Sequence, residues 1–392
     1  MKVTMFSNYL NHHQLPFCLA MDELTDHHFT FVSTSGISQM RLDLGYQDMD
    51  HQYPFVIASY ESQELGKKAF ELADSSDIVI LGAAPRKFVL ERMKNRKLTF
   101  HYSERLFKRG FLGRFSPTTM RYCINKMIGL DNDSQYLMCA GNYVASDFNQ
   151  IGWFRGRALK WGYFPAFMTY EQSQVIHPER RSYSILWAGR LIDWKHPELI
   201  LDAAKHLRQK EIPFQITVVG TGELKEELEQ QAETEHLNDV ITFSGSVSPE
   251  KVREYMADSD IFLATSDAQE GWGAVINEAM NSGCAVIASH AMGAAGFLIE
   301  HEKNGLVFES GNTADFLEQI SCITGNKKRC AELGWNAYQT IANEWNAKTA
   351  ANRFLKLSES IIHHEAETYK TGPCSPAVGI TPKEYLMAVR NR

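Results

Sequence analysis

Between residues 184 and 308 the chain alternates short apolar runs with helical patterns, and few folds accept that rhythm. SILWA (184–188), FQITVV (214–219), VITF (240–243), IFLAT (261–265), CAVIA (284–288) and LVF (306–308) are runs of strand length and mostly apolar. Strands read this way when both faces are buried, as they are in parallel sheets. The segments between keep a 3.6-residue period: in 197–210 the apolar positions are Leu199, Ile200, Ala203, Ala204 and Leu207. Strand and crossover helix recur about six times, which describes an open, doubly wound α/β sheet.

The first half has the same style with weaker signals. Strands are expected at 3–6, 29–33, 77–81, 98–101, 136–140 and 143–145, with helical patterns at 15–24 and 69–73. A chain of 392 residues suits two domains at one per roughly 150 residues. The boundary falls in the polar stretch 171–182, giving domains 1–180 and 181–345. A C-terminal segment, 346–392, is expected to supply helices that pack back on the first domain. Its Thr381-Pro382-Lys383-Glu384 reads as a capped helix start after the Gly/Pro-rich 370–381. Two such domains in tandem leave a cleft, and open α/β sheets bind ligands at the carboxyl ends of their strands.

Composition excludes several classes. No stretch reaches the ~18 apolar residues of a membrane span, and the first residues turn polar too early for a signal peptide. Seven cysteines, with no C-x-x-C pair, favour a reducing compartment, buried thiols and no zinc site. The net charge of −7 is uneven: residues 1–181 carry 21 Lys+Arg against 18 Asp+Glu, the remainder 19 against 29. Residues 86–126 hold 12 basic and 2 acidic side chains, interleaved with Phe88, Phe100, Phe107, Phe111, Phe115 and Tyr122. Residues 153–161 have the same character. Such segments suit an anionic membrane surface or an anionic acceptor, or else a solvated face over buried rings.

The chemistry concentrates in SDAQEGWGAVINEAMNSGCAVIAS, residues 266–289. A strand precedes it and a strand ends it, and a helix starts near Gly273. Glycines at 271 and 273 let a ligand approach the backbone, and the first-turn N–H groups of the helix can hold phosphate oxygens. Glu270 stands before the turn and Glu278 about one turn into the helix. Carboxylates accept hydrogen bonds only, which suits vicinal diols. A sugar at each end of a diphosphate would satisfy both. Two lone glutamates are more often ordinary surface acids; the glycines and flanking strands argue otherwise. Arg190, after the strand 184–188, and Lys195 supply the cations a diphosphate needs.

With these residues in place the second half resembles the donor domain of glycosyltransferase family 4, retaining enzymes of the GT-B fold. The matching elements are Gly189-Arg190 with Lys195, Val219-Gly220-Thr221-Gly222, Phe243-Ser244-Gly245, Glu270-Gly271-Trp272-Gly273 through Glu278-Ala279-Met280, Gly283, and Asn304-Gly305-Leu306-Val307. The resemblance implies two Rossmann-like domains facing a cleft, the first on the acceptor side and the second holding a nucleotide sugar. It places Arg190 and Lys195 on the diphosphate, Glu270 on the donor hexose and Glu278 on the ribose. Gly271, Trp272 and Gly273 contribute backbone contacts, while Gly222 and Val247 flank the base. His101, read as ending its strand, corresponds to a histidine beside the transferring sugar. The family usually has two glycines after the first strand; here stand Asn11, His12, His13 and Gln14. His12, His13, Gln14 and Arg105 become candidate donor or acceptor contacts, with Tyr102, Glu104 and Lys108 beside them.

The implied activity is metal-independent transfer of a hexose-type sugar to a glycan or lipid-linked acceptor, in cell-surface polysaccharide or glycolipid assembly. The donor is a substrate, so no cofactor is expected, and no nucleic-acid partner. Asp258-Ser259-Asp260 matches D-x-D by letter but reads as a turn before a strand. Gly220-Thr221-Gly222 lacks the later glycine of a dinucleotide fingerprint. The expected location is cytoplasmic, peripheral on the inner face of a membrane. The alternatives are a non-catalytic sugar-nucleotide-binding subunit and a nucleotide-sugar epimerase on a similar frame.

Overall fold

In the computed structural model seven apolar runs pair into one parallel sheet: β1 (Val3–Ser7), β2 (Phe29–Ser33), β3 (Val56–Ala58), β4 (Ile78–Leu81), β5 (Thr99–Ser103), β6 (Gln135–Ala140) and β7 (Ala158–Trp161). Their order is β3-β2-β1-β4-β5-β6-β7. Six more form a second parallel sheet: β8 (Tyr183–Ala188), β9 (Phe214–Val219), β10 (Ile241–Gly245), β11 (Ile261–Ala264), β12 (Ala285–Ser289) and β13 (Leu306–Phe308). Its order, β10-β9-β8-β11-β12-β13, is that of the doubly wound nucleotide-binding fold, with the direction of winding reversing between β8 and β11. The structure describes all residues except 44–46, 109–116, 118–120, 122–130, 366 and 392.

The chain divides into two compact units, and neither is one continuous segment. The first comprises Met1–Ala166 and Trp345–Ile380, the second Phe167–Glu344 and Thr381–Arg392. The first boundary thus falls ahead of the expected 180/181. The C-terminal segment divides between the units: the Ala347–Ile362 helix joins the first and the Pro382–Arg390 helix the second. Phe354 shows why the former is integral. Its ring lies 4.8 Å from Phe100, 6.0 Å from Trp161 and 6.3 Å from Phe17, so three parts of the first unit meet on it. Pro376 adds an antiparallel bridge to Leu159 of β7. The final helix is started by Thr381 and Glu384, whose side chains cap each other's backbone N–H.

Local chemistry accounts for most elements. β1, β11 and β12 are buried along their whole length, as the apolar runs require. Side chains of Ser62, Ser248, Asn312, Asn326 and Asn346 cap helix N-termini. Residues 143–145, expected as a strand, instead begin the Val144–Gln150 helix. Three apolar residues carry no period, and Gly141, at φ +135°, turns the chain after β6.

The basic segment is less of a surface than its charge count suggests. Phe88, Phe100 and Phe107 are buried, as are Phe154, Leu159 and Trp161 of the second cluster. Phe111, Phe115 and Tyr122 lie outside the described residues. Arg92 is 1% exposed. Its guanidinium donates to the carbonyls of Ala73, Ser76, Asp77 and Leu98 and to Thr99 Oγ1, tying a helix end to the starts of β4 and β5. Burial pulls its pKa down to about 10, so it stays charged at neutral pH. Arg92→Met strands these acceptors without a donor. The expected loss is about 3 kcal/mol of first-unit stability, read as a lowered urea midpoint; an unchanged midpoint overturns this account of the clamp.

Candidate functional site

The second unit brings the loops after β8, β9, β10 and β11 together at the carboxyl edge of its sheet. Leu191 N–H donates to Thr221 O and Leu224 N–H to Leu191 O, both at 3.0 Å, and Gly220 N–H donates to Gly245 O at 2.8 Å. The backbones pass so closely that a Cβ at Gly222 would stand 2.2 Å from Leu191 O. Gly222, expected beside a nucleotide base, therefore has a steric role in this packing. Val247 is half-buried in the loop after β10.

A second set of bonds joins the loop 189–198 to the loop 265–273. Trp187 Nε1 donates to Thr265 Oγ1 at 2.9 Å, which donates to Lys195 O at 2.6 Å, and Asp267 N–H donates to Trp194 O at 2.9 Å. The tie ends in an ion pair, Lys195 Nζ to Glu270 Oε2 at 2.6 Å, with side chains only 16% and 18% exposed. The residues expected on the diphosphate and on the sugar thus touch each other. Arg190 is exposed, its guanidinium 5.7 Å from the Trp194 ring centroid. Among the described residues no carboxylate pairs with it.

Gly273 is the N-cap of the Ala274–Asn281 helix at φ +92°, and no side chain caps that helix. A Cβ there would meet only the flexible end of Met292, so it is the left-handed conformation that favours glycine. Gly271 is buried beside it. Trp272 is 1% exposed and donates from Nε1 to Asn277 Oδ1 at 2.8 Å; its carbonyl accepts from Ala294 N–H at 2.9 Å, so ring and backbone together anchor the turn. Glu278 is half-buried. Desolvation raises its pKa, and the nearby Arg253 opposes the shift.

In the first unit His101 sits mid-strand in β5 rather than at its end. It is 8% exposed, its Nε2 2.9 Å from Gln135 Oε1 and its ring 5.2 Å from Phe154. That is the environment of a held core histidine. Arg105 is also occupied: it pairs with buried Asp147 at 3.3 Å, and Asp147 accepts from the N–H groups of Leu106 and Phe107. Gln14 is buried between Asn11 Nδ2 and Ser7 Oγ. His12 and His13 stay closer to the surface, their ring centroids 3.9 Å apart. Burial, then the neighbouring His12 and Arg41, lower the His13 pKa to about 3; burial and Arg41 lower that of His12. His13 is therefore neutral at physiological pH. With Gln14 and Tyr102 it lines a cavity of about 10 Å³, the room of roughly one water.

Sequence reasoning passed over His196 and Asp267. His196 Nε2 lies 3.8 Å from Asp267 Oδ2, across the same two loops. The His-Pro pair 196–197 held a hint, because a residue before proline is pushed out of the right-handed helical region.

Residues 170–340 match the family model described as glycosyl transferases group 1. An uncharacterized glycosyltransferase of Methanocaldococcus jannaschii is 28% identical over 197 residues, 49% of this chain and 49% of its own length. A poly(ribitol-phosphate) α-N-acetylglucosaminyltransferase of Staphylococcus aureus is 26% identical over 174 residues, 44% of this chain and 34% of its own. The chain thus spans half or less of the length of these curated relatives. Crystalline Anabaena HepE in complex with UDP superimposes with a TM-score of 0.66 at 19% identity, covering 92% of this chain and 100% of HepE. The fold is accordingly GT-B, an α/β fold of two Rossmann-like sheets.

The backbone packing under the site yields a direct test. Gly222→Ala forces the β9 loop away from Leu191 O and is expected to cost about 2–4 kcal/mol of second-unit stability. Urea unfolding of the variant measures it; a loss below about 0.5 kcal/mol contradicts the close approach.

Proposed function

We propose that the chain is a retaining glycosyltransferase of the family 4 type. It moves a hexose-type sugar from a nucleotide diphosphate sugar to an acceptor hydroxyl without a metal ion. The observation that carries this reading is the Lys195–Glu270 pair beside the uncapped N-terminus of the Ala274–Asn281 helix. Cation and helix N-terminus receive the diphosphate, with exposed Arg190 as its second cation. Glu270 accepts from a donor-sugar hydroxyl and Glu278 from the ribose diol.

In the transfer step the bond from the anomeric carbon to the β-phosphate oxygen breaks, and its electron pair leaves with the nucleoside diphosphate. The acceptor oxygen bonds to that carbon from the same face, and its proton passes to a diphosphate oxygen. Lys195, Arg190 and the helix N–H groups act by stabilising the departing charge in a preorganised setting. Neither a protein nucleophile nor a cofactor enters. A glycan acceptor is favoured by the relatives' polymer chemistry, with His12 and His13 as candidate contacts in the first unit. Binding to an anionic membrane draws its support mainly from charge, because Phe88, Phe100, Phe107, Phe154 and Trp161 of the basic segments are core. Among the described residues no helix is long and apolar enough to cross a membrane.

Thermal shift across a panel of nucleotide sugars tests the donor. A ligand at 100 times its dissociation constant adds about 2.7 kcal/mol, and a panel in which nothing stabilises the protein sinks the reading. Initial rates then separate the roles. Lys195→Ala and Arg190→Ala should each lower turnover by roughly 10², whereas Glu278→Ala should weaken donor binding with little change at saturating donor. Wild-type turnover in both cation variants removes the diphosphate assignment. Activity should also persist in excess chelator; loss restored by magnesium or manganese requires a metal-bridged diphosphate instead.

A further inference from the structure

His196 closes the turn Asp193–Lys195 with φ +49° and ψ +52°, in the left-handed region. Side chains seldom adopt that conformation, and it persists where surrounding contacts hold it. Here the contacts are two carboxylates. Nδ1 lies 2.8 Å from Glu198 Oε1, and Nε2 lies 3.8 Å from Asp267 Oδ2. A neutral imidazole carries no charge, so only the imidazolium can hydrogen-bond Glu198 and attract Asp267 as an ion pair across 3.8 Å. Asp267 stands three residues before Glu270, and its carbonyl accepts from Glu270 N–H at 3.1 Å. His196 itself follows Lys195 directly.

We propose that His196 is a positioning residue whose imidazolium clasps the loop 189–198 to the loop 265–273 and so holds Lys195 and Glu270 aimed at the diphosphate. The clasp rests on the diphosphate reading of the site given above. The charged groups facing the ring are Glu198, Asp267 and Asp193, all carboxylates. The hydrogen bond to Glu198 leads in raising the His196 pKa above its ordinary value, with burial opposing and Asp267 and Asp193 adding to the rise. The clasp is therefore complete below the ordinary histidine pKa and is lost as pH rises through the raised folded value.

Two measurements on the full chain test it. The first is an NMR titration of the His196 Cε1–H resonance in the unliganded protein, assigned by its absence from His196→Asn. It should titrate above the ordinary value of about 6.5 and move down in Asp267→Asn. A wild-type value at or below the ordinary one, or no movement in Asp267→Asn, overturns the clasp. The second is calorimetry with inorganic pyrophosphate. Asn tolerates the left-handed region but carries no charge, so His196→Asn isolates the protonation. Wild type should bind roughly two- to fivefold more tightly than His196→Asn at pH 6, the two converging as pH rises past the raised His196 value that the titration reads. Taking the ratio cancels ionisation of the ligand. A ratio independent of pH overturns the positioning role. No binding by wild type at any pH overturns the diphosphate reading instead, and the NMR titration still decides the clasp.

Discussion

The Lys195–Glu270 contact is the constraint around which the second unit's carboxyl edge is arranged. Each residue sits on a separate loop, and each loop is placed by backbone bonds to its neighbours. Removing one partner leaves a poorly solvated charge without its counterion, which is costly. The pair therefore fixes both side chains before any ligand arrives. A ligand presenting an anion beside a hydroxyl exchanges one partner for another on each side, so little reorientation is needed. The glycines at 222 and 273 stand under this arrangement: Gly222 lets two loop backbones pass closely, and Gly273 takes the left-handed turn that starts the helix after Glu270.

Legibility followed burial. β1, β11 and β12 are buried on both faces, and their apolar runs announced them in the sequence. β3 and β7 are edge strands of three and four residues, too short for a pattern to stand out. Residues 143–145 misled because a short apolar run reads as strand or helix until tertiary context decides. In the site, Glu270, Gly273, Glu278 and Lys195 were visible as residue types at fixed spacing on recognisable elements. Their roles toward a ligand belong to the proposal, but the meeting of Lys195, Glu270 and Gly273 at one sheet edge is structural. His101 was misplaced through a two-residue shift in its strand end, which moved it from the edge into the interior.

Charge counting misled in the first unit for a related reason. Arg92 counts as one of the basic residues of 86–126, yet it is among the most enclosed side chains there, serving backbone carbonyls. Arg105 is likewise spent on Asp147. A linear tally treats both as surface charge, and only the fold shows that they hold elements together. Aromatic residues in the same stretch follow the same logic: Phe88, Phe100 and Phe107 look available in sequence and are packed in three dimensions.

The division of the first unit into two chain segments has a consequence for the order of events at the ribosome. Phe354 completes a ring cluster whose other members, Phe17, Phe100 and Trp161, emerge long before it. Residues 167–344 are made in between, which at ordinary elongation rates takes on the order of ten seconds or more. Throughout that interval Phe17, Phe100 and Trp161 lack the Phe354 ring they pack against in the finished unit. Residues 1–166 therefore wait for the rest of their own unit until most of the second has been made, and a chaperone shielding Phe17, Phe100 and Trp161 in that interval would act on synthesis rather than on the mature molecule.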